Sequence, residues 1–245
     1  MPRIVIFLDL DDTILQTAPK CPPGEPVKPA AVDRAGRVLS FMTRAQRRLL
    51  EFWLEQGTVI PVTGRTDEAL ARVAIEFTSW RITHHGAVIR RPDGALPAWW
   101  HDRIRPLLAA AQPLLREVAV NLGAGAAAGG YRVSCHALGE WLTYVSVKAN
   151  EEDEALTDAR ARLEEPGLLP ELALHRNGAN LAVMVRGAQK HDAVRRVAME
   201  LERGGPIVTL GAGDSLTDIP FLQACDFALT PRNSQIQRET WDGRF

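Results

Sequence analysis

The segment from Ile4 to Leu15 constrains the fold of this chain more than any other. It begins with five consecutive apolar residues, a run typical of a strand buried on both faces of a parallel sheet. Acidic residues come directly after this run. Asp9 and Asp11 follow it and, being two residues apart in an extended chain, project in the same direction. In open α/β sheets this edge, outside the carboxyl ends of the strands, is where ligands bind.

Two neighbouring carboxylates at the end of a buried strand repel each other, and burial raises the cost of ionising both. A hard, oxygen-liganded cation such as Mg²⁺ would hold them, and that ion in turn suggests a phosphate as the third component. An isolated D-x-D is equally compatible with an acidic, solvated turn. The rest of the chain has to decide between these two interpretations.

Composition excludes several classes of protein. The chain has 245 residues, 46% hydrophobic and 24% charged, with a formal net charge of -1, which indicates a globular protein without a basic field for nucleic acid. Its three cysteines are widely spaced and predict free thiols in a reducing compartment. No apolar run is long enough for a signal peptide or a membrane span. We therefore expect a cytoplasmic protein, monomeric or homodimeric, without nucleic-acid or membrane partners.

The order of predicted elements divides the chain. A capping box at Thr43 and Gln46 opens a predicted helix that precedes a second buried strand, Thr58 to Val62. This α/β pattern returns after Arg186, and helices with antiparallel strands lie between. The pattern predicts an α/β fold with a doubly wound parallel sheet, formed by residues 1–86 and 186–245, and an inserted α+β cap, residues 87–185. A helix over 68–77 and an Ala/Gly-rich loop over 123–130 are also predicted.

A second acidic loop favours a cation and phosphate site at Asp9 and Asp11 over a solvated turn. The strand Ile207 to Leu210 ends in a glycine-rich segment, Gly211 to Asp218, that carries Asp214 and Asp218. Glycines allow close backbone approach, and the two acids extend the oxygen cage at the carboxyl end of another parallel strand. Gly-Asp turns are common in isolation, but together with the acidic end of the segment from Ile4 to Leu15 this one indicates a shared site.

With both loops in view, the sequence resembles the phosphatases of the haloacid dehalogenase superfamily, whose Cof-like, sucrose-phosphatase-like and trehalose-phosphatase-like members have a large cap inserted late in the core. Four family motifs occur in order. They are the D-x-D-x-T run from Asp9 to Thr13, a strand-terminal Thr63, Lys190 at the start of a helix, and the G-D-S-x-x-D run from Gly213 to Asp218. Asp12 stands where the family often has glycine.

The resemblance implies a role for each motif. Asp9 would be the nucleophile that forms an aspartyl-phosphate, and Asp11 would protonate the leaving group and then activate water. Thr63 and Lys190 would bind phosphoryl oxygens. The Mg²⁺ ligands would come from Asp9, the Asp11 backbone carbonyl and Asp214, with Asp218 supporting the ion or orienting Lys190. A helix cap is the alternative role for Asp218.

Substrate contacts are expected from residues beside the motifs and on the cap. The candidates are Gly64, Arg65, Ser215, Arg132, Lys148 and Asn180. A solvated surface is the alternative for the three cap residues. His84 and His85 suggest a metal pair, but adjacent residues of an extended segment face opposite ways, which favours packing instead.

These expectations combine into one functional hypothesis. It is a Mg²⁺-dependent phosphoric monoester hydrolase that acts on a small phosphorylated metabolite, with a sugar phosphate as the favoured class. Two alternatives stay open at this point. One is a phosphotransferase or phosphomutase on the same scaffold, and the other is a non-catalytic protein that binds a metabolite or a partner.

Overall fold

The computed structural model describes residues 3–127, 130–149, 154–164 and 172–240. Its strands are β1 Arg3–Leu8, β2 Val27–Val32, β3 Val38–Thr43, β4 Thr58–Pro61, β5 Arg81–Thr83, β6 Val88–Arg90, β7 Tyr131–Leu138, β8 Trp141–Ala149, β9 Leu172–Asn177, β10 Asn180–Val185, β11 Ile207–Ala212 and β12 Phe227–Leu229. Its α-helices are α1 Arg44–Gln56, α2 Asp67–Leu70, α3 Ala98–Ala127, α4 Glu154–Glu164, α5 Lys190–Glu202, α6 Ile219–Leu222 and α7 Gln235–Thr240. No helix in these ranges combines the length and apolar character needed to cross a membrane.

The chain forms two compact units. The core unit contains the residues before Pro97 and those from Lys190 onward, and the inserted unit is Pro97–Gln189. The first division lies after the predicted boundary at residue 86, because β6 pairs with β5 in the core unit, with Thr83 opposite Val88. The second lies at residue 190, where α5 begins, rather than at 186.

A parallel sheet forms the centre of the core unit, as the sequence predicts. Its strand order is β12, β11, β1, β4. A bridge between Val62 and Ile82 places β5 next to β4. Ile6, Phe7 and Leu8 are completely buried because β1 has a paired strand on either side. The capping box predicted for α1 is also present, since Thr43 and Gln46 exchange backbone and side-chain hydrogen bonds.

The helix predicted over residues 68–77 is wrong beyond Leu70. After α2 the chain forms a turn at Ala71 and Arg72, and Val73 then forms a bridge with Ala31 of β2. Two further backbone hydrogen bonds join the segment to β2: Val32 donates to the Arg72 carbonyl at 3.1 Å, and Ala74 donates to the Ala30 carbonyl at 2.7 Å. Pairing with a neighbouring strand has overridden a weak local helix preference.

The inserted unit has α+β architecture, as predicted. Its antiparallel sheet has the order β7, β8, β10, β9, and α3 and α4 contact β8. Val145 and Val183, in the middle of this sheet, are completely buried. The loop predicted over residues 123–130 is wrong in its first part because α3 continues to Ala127. Alanine has the highest intrinsic helix propensity, and the run contains several.

Candidate active site

The predicted motif residues of the core meet where three neighbouring strands end. Asp9 follows β1 and donates its backbone N–H to the Ala212 carbonyl of β11 at 2.8 Å. On the other side of β1, the Val62 N–H donates to the Leu8 carbonyl at 2.7 Å, which places Thr63 at the same edge. The parallel register therefore brings together positions separated by about 50 and 200 residues in the sequence.

A buried ion triad lies at this edge. The Lys190 ammonium is 2.6 Å from Oδ1 of Asp9 and 2.7 Å from Oδ1 of Asp218. All three residues are less than one tenth exposed. Lys190 is the first residue of α5, where the positive end of the helix dipole disfavours a cation. The two carboxylates supply the compensation that allows a lysine at this position.

Thr13 connects the two acidic loops. Its hydroxyl lies 3.0 Å from Oδ2 of Asp9 and 3.3 Å from Oδ1 of Asp214, and it is buried. Thr13 was predicted only as part of the D-x-D-x-T motif, without a role of its own. Its place in that motif is the signal that could have identified it.

Asp218 fixes the second loop rather than capping the helix that follows. Its Oδ2 accepts hydrogen bonds from the Asp214 N–H at 3.2 Å, the Ser215 N–H at 3.1 Å and the Ser215 hydroxyl at 2.8 Å. As the residue before α6, it makes no side-chain cap there. Gly213 is required, since a Cβ on it would lie 2.8 Å from the Asp218 Cβ. Ser215, a predicted substrate contact, uses its hydroxyl within this loop.

Burial and charge act on the pKa values of the cluster in opposite directions. Burial raises the pKa of Asp9 well above its ordinary range, Lys190 counteracts this, and Asp218 and Asp214 add to it. For Asp218, burial would raise the pKa, but the Lys190 charge and the hydrogen bonds from Lys190 and Ser215 lower it below the ordinary value. The same carboxylates outweigh burial at Lys190 and raise the pKa of its ammonium.

The donor set fits a divalent cation. Asp9, Asp214 and Asp218 each offer a carboxylate oxygen, and these oxygens lie within 4.8 Å of one another. The cluster has three buried carboxylates, and the Lys190 ammonium pairs with two of them, so in its ionised form the carboxylates outnumber this buried ammonium. Mg²⁺ prefers such hard oxygen ligands and would balance their charge. Asp9 and Asp214 are the better ligands because Oδ2 of Asp218 already accepts three hydrogen bonds, whereas each oxygen of Asp9 accepts one.

Asp11 lies outside this cluster. Its carboxylate forms a bidentate pair with Arg65, with Nε to Oδ2 at 2.8 Å and Nη2 to Oδ1 at 2.7 Å. The Asp11 side chain is 51% exposed and that of Arg65 only 14%. Arg65 was predicted to contact substrate, and in the structure its guanidinium binds Asp11. The predicted metal role of Asp11 concerns its backbone carbonyl and stays a prediction.

The loop that carries Thr63 and Arg65 is supported by the two adjacent histidines. The His84 N–H donates to the Arg65 carbonyl at 2.9 Å, and the His85 N–H donates to the Thr63 carbonyl at 3.1 Å. The His85 ring covers Gly64 so closely that any Cβ there would collide with it. Gly64, predicted to bind substrate, is thus required by packing.

The extended conformation assumed for the histidine pair is wrong. His84 and His85 both have left-handed backbones, with φ of 51° and 57°, and both are buried. Within the described residues, neither joins a cluster of metal-ligating side chains. Packing, which the sequence favoured, is what the structure shows. Asp12 is left-handed as well, with φ of 63°, a conformation that glycine adopts more readily than other residues.

The three predicted cap residues form a row on one face of the inserted sheet. Arg132 lies opposite Lys148, and Lys148 lies opposite Asn180, in the register of β7, β8 and β10. Directly opposed residues of antiparallel strands project from the same face. All three residues are exposed.

The same sheet face continues with further polar side chains. His136 stacks on Tyr144, with ring centroids 4.1 Å apart, and one of its nitrogens is hydrogen-bonded to the Ser146 hydroxyl at 2.8 Å. Rows of cationic, amide, hydroxyl and aromatic groups suit a polyhydroxylated ligand.

Comparison with known proteins identifies the fold. No protein-family model and no curated protein matches the chain. Among solved structures, the C-terminal domain of trehalose-6-phosphate phosphatase from C. albicans is 15% identical, with a TM-score of 0.62 over 91% of this chain and 73% of that chain. Sucrose-phosphatase from Synechocystis, solved with sucrose and phosphate, is 17% identical, with a TM-score of 0.60 over 100% of this chain and 89% of that chain.

A third solved structure, a trehalose-6-phosphate phosphatase related protein, is 21% identical, with a TM-score of 0.56 over 92% of this chain and 84% of that chain. The chain has the capped haloacid dehalogenase fold. This likeness confirms the predicted core and its inserted α+β cap. At these identities it concerns the fold alone, so the chemistry has to be argued from the site.

Proposed function

We propose that this protein is a Mg²⁺-dependent phosphatase that hydrolyses a small phosphorylated metabolite through an aspartyl-phosphate. The observation that carries the proposal is the buried arrangement of Asp9, Lys190 and Asp218, joined to Asp214 through Thr13, where the strands of the core end. A protein that only binds a metabolite does not need a buried nucleophile held by two partners and a second acid nearby.

Asp9 is oriented for attack by partners on both of its oxygens. Lys190 donates to Oδ1 and Thr13 to Oδ2, so the carboxylate has one defined position. A carboxylate oxygen attacks phosphorus, the ester P–O bond breaks, and the leaving alkoxide takes a proton from Asp11. Water then attacks the phosphorus of the aspartyl-phosphate and gives its proton to Asp11, and the bond between phosphorus and the Asp9 oxygen breaks to release phosphate.

Charge on the transferring phosphoryl group is compensated from three directions. Lys190 provides a fixed positive charge, and the Thr63 hydroxyl, which accepts from the Arg65 N–H at 3.1 Å, has its own proton to donate to a phosphoryl oxygen. A Mg²⁺ ion bound by Asp9 and Asp214 would neutralise further charge on these oxygens. Asp218 acts through Lys190, whose position it fixes.

A sugar phosphate is the substrate class that the inserted sheet suits best. The exposed row of Arg132, Lys148 and Asn180 offers cationic and amide donors of the kind that bind hydroxyl and phosphate oxygens. Two solved proteins with the same fold are a trehalose-6-phosphate phosphatase and a sucrose-phosphatase, the second with sucrose and phosphate bound. That chemistry is theirs, and for this chain it motivates the choice of test compounds.

A phosphate-release screen tests the proposal. The panel contains sugar, nucleotide and small organic phosphates, assayed with Mg²⁺ and with EDTA, for the wild type, Asp9→Asn and the matched control Asp12→Asn. Asp12 is outside the cluster and pairs with Lys20, and asparagine tolerates its left-handed backbone. We expect release that EDTA and Asp9→Asn abolish and Asp12→Asn retains. Absence of release from a folded protein, or transfer of phosphate to added sugars instead of water, would contradict a phosphatase.

A further inference from the structure

A cavity of about 440 Å³ lies in the core unit, and none of its lining residues belongs to the buried acidic cluster. Its volume is within the range of small-molecule sites, about 300 to 1,000 Å³. The cavity borders the segment where the predicted helix stops at Leu70 and the chain turns instead to pair with β2.

The floor of the cavity is apolar. Leu70, Val73 and Phe77 line it, and each is less than one tenth exposed. Ile75, which is half-buried, lines it as well. These side chains offer a surface that favours an apolar ligand body over water, because a ligand placed there removes apolar area from solvent.

The charged residues that line the cavity are two arginines and one aspartate. Arg90 pairs with Asp67, with Nε to Oδ2 at 2.7 Å, and the Thr83 hydroxyl donates to the other oxygen of Asp67 at 2.7 Å. Arg81 donates to two backbone carbonyls, those of Phe77 and Arg91, both at 3.3 Å. In the described part of the chain, no carboxylate lies within ion-pair distance of Arg81, so the charged lining residues leave one positive charge uncompensated.

We propose that this cavity is a second ligand site, separate from the active site, that binds a small monocarboxylate with an apolar body. The ligand carboxylate pairs with Arg81, whose planar guanidinium has further N–H donors, and the apolar part contacts Leu70, Val73 and Phe77. One uncompensated positive charge matches a monoanion. A phosphate monoester dianion would bring a second negative charge without a partner, which distinguishes this site from the proposed substrate site.

Benzoate is a suitable probe, because it joins one aromatic ring to one carboxylate, and benzamide is its neutral match. In a titration of the ¹⁵N-labelled full chain, we expect benzoate to shift the amide signals of Leu70, Val73 and Gly94 saturably. Benzamide should cause much smaller shifts. Equal binding of the two compounds, no saturable shift at these amides, or shifts confined to the loops around Asp9 and Asp214 would each overturn the proposal.

Two variants test separately how the Arg81 charge and the shape of the cavity contribute to benzoate binding. Arg81→Gln should weaken benzoate binding at least about tenfold, whereas Arg34→Gln, a control at an exposed arginine that does not line the cavity, should not change it. The second variant, Ile75→Trp, places a larger side chain at a half-buried position that lines the cavity. It should fill the cavity and also weaken benzoate binding, without altering any charge. Since Arg81 tethers two backbone segments, the melting temperature of each variant is measured in parallel. Unchanged binding in folded Ile75→Trp and folded Arg81→Gln would overturn the site.

Discussion

The buried acidic cluster of the core unit and the polar face of the inserted sheet differ in how firmly their side chains are held. Lys190 and Asp9 are buried, and each has two partners at hydrogen-bonding distance. Arg132, Lys148 and Asn180 are exposed. Charges fixed before a ligand arrives stabilise a transition state without reorganisation, whereas exposed side chains adapt to the ligand. Under the proposed function, the core unit carries out the chemistry and the inserted unit recognises the substrate.

The largest effect is expected from removing the buried cation. Lys190→Met leaves Asp9 and Asp218 buried without their common partner, which should cost about 3 to 5 kcal/mol of unfolding free energy and abolish phosphate release. Lys20→Met is the matched control. Lys20 also lies 2.6 Å from an aspartate oxygen, that of Asp12, but its side chain is 53% exposed, so we expect a cost of at most about 1 kcal/mol. Urea unfolding measures both, and equal costs would contradict the contrast.

Metal binding should stabilise the core unit through the same cluster. Mg²⁺ at about 100 times its dissociation constant should add about 2.7 kcal/mol to the unfolding free energy, and the melting temperature should rise accordingly. Asp214→Asn should remove most of this shift, because it deletes a ligand charge.

This measurement needs no turnover, so it tests the metal site apart from the proposed activity. Asp93→Asn, at an exposed turn, is the control. A Mg²⁺ shift that persists in Asp214→Asn would place the ion elsewhere.

The pair between Arg65 and Asp11 should matter most for substrates with poor leaving groups. If Arg65 positions Asp11 for its proton transfers, Arg65→Gln should reduce hydrolysis of alkyl or sugar phosphates about tenfold to a hundredfold. p-Nitrophenyl phosphate, whose leaving group needs little protonation, should be affected much less.

Arg65→Lys keeps the charge but loses the bidentate geometry and should behave in an intermediate way. Steady-state kinetics with both substrates provide the comparison. Equal losses for the two substrates would instead assign Arg65 to substrate binding, its role in the sequence prediction.

On the inserted sheet, the expected effect is on recognition. Lys148→Gln should raise KM for the preferred sugar phosphate by about tenfold and leave kcat for p-nitrophenyl phosphate unchanged. Arg160→Gln, on the exposed side of α4 and paired with Glu164, serves as the control. A fall in kcat for both substrates would show that the division between chemistry and recognition is too simple.

The smallest expected effect is on how the free energy of unfolding depends on pH. Burial lowers the pKa of His84 below its ordinary value of 6.5, Arg90 acts in the same direction, and Asp67 and Glu68 oppose it. As the pH falls below about 6.5, the unfolded chain takes up a proton at His84 that the folded chain does not bind, so the free energy of unfolding decreases.

His84→Asn, which tolerates the left-handed backbone, should flatten this part of the stability curve. His101→Asn, at an exposed histidine, should leave it unchanged. An identical slope in the wild type and His84→Asn would contradict the assignment.

Much of the core was predictable from sequence because its signals are local. A run of five apolar residues ending in Asp9, and a strand ending in a glycine-rich acidic loop, place carboxylates at strand ends wherever parallel strands are neighbours. Lys190 was identified by motif order. The helix expected over residues 68–77 was wrong beyond Leu70 because hydrogen bonds to β2, about 40 residues earlier, outweigh local propensity.

The sequence by itself determined the α/β architecture, the inserted α+β unit and the identity of the acidic groups, because hydrophobic periodicity and short motifs encode these locally. Only the tertiary structure decided which side chains touch. The pairing of Arg65 with Asp11, the bridging of Asp9 and Asp214 by Thr13, and the cavity beside Arg81 depend on contacts between distant segments. Side-chain partners at such separations are set by strand register and packing, which no local pattern specifies.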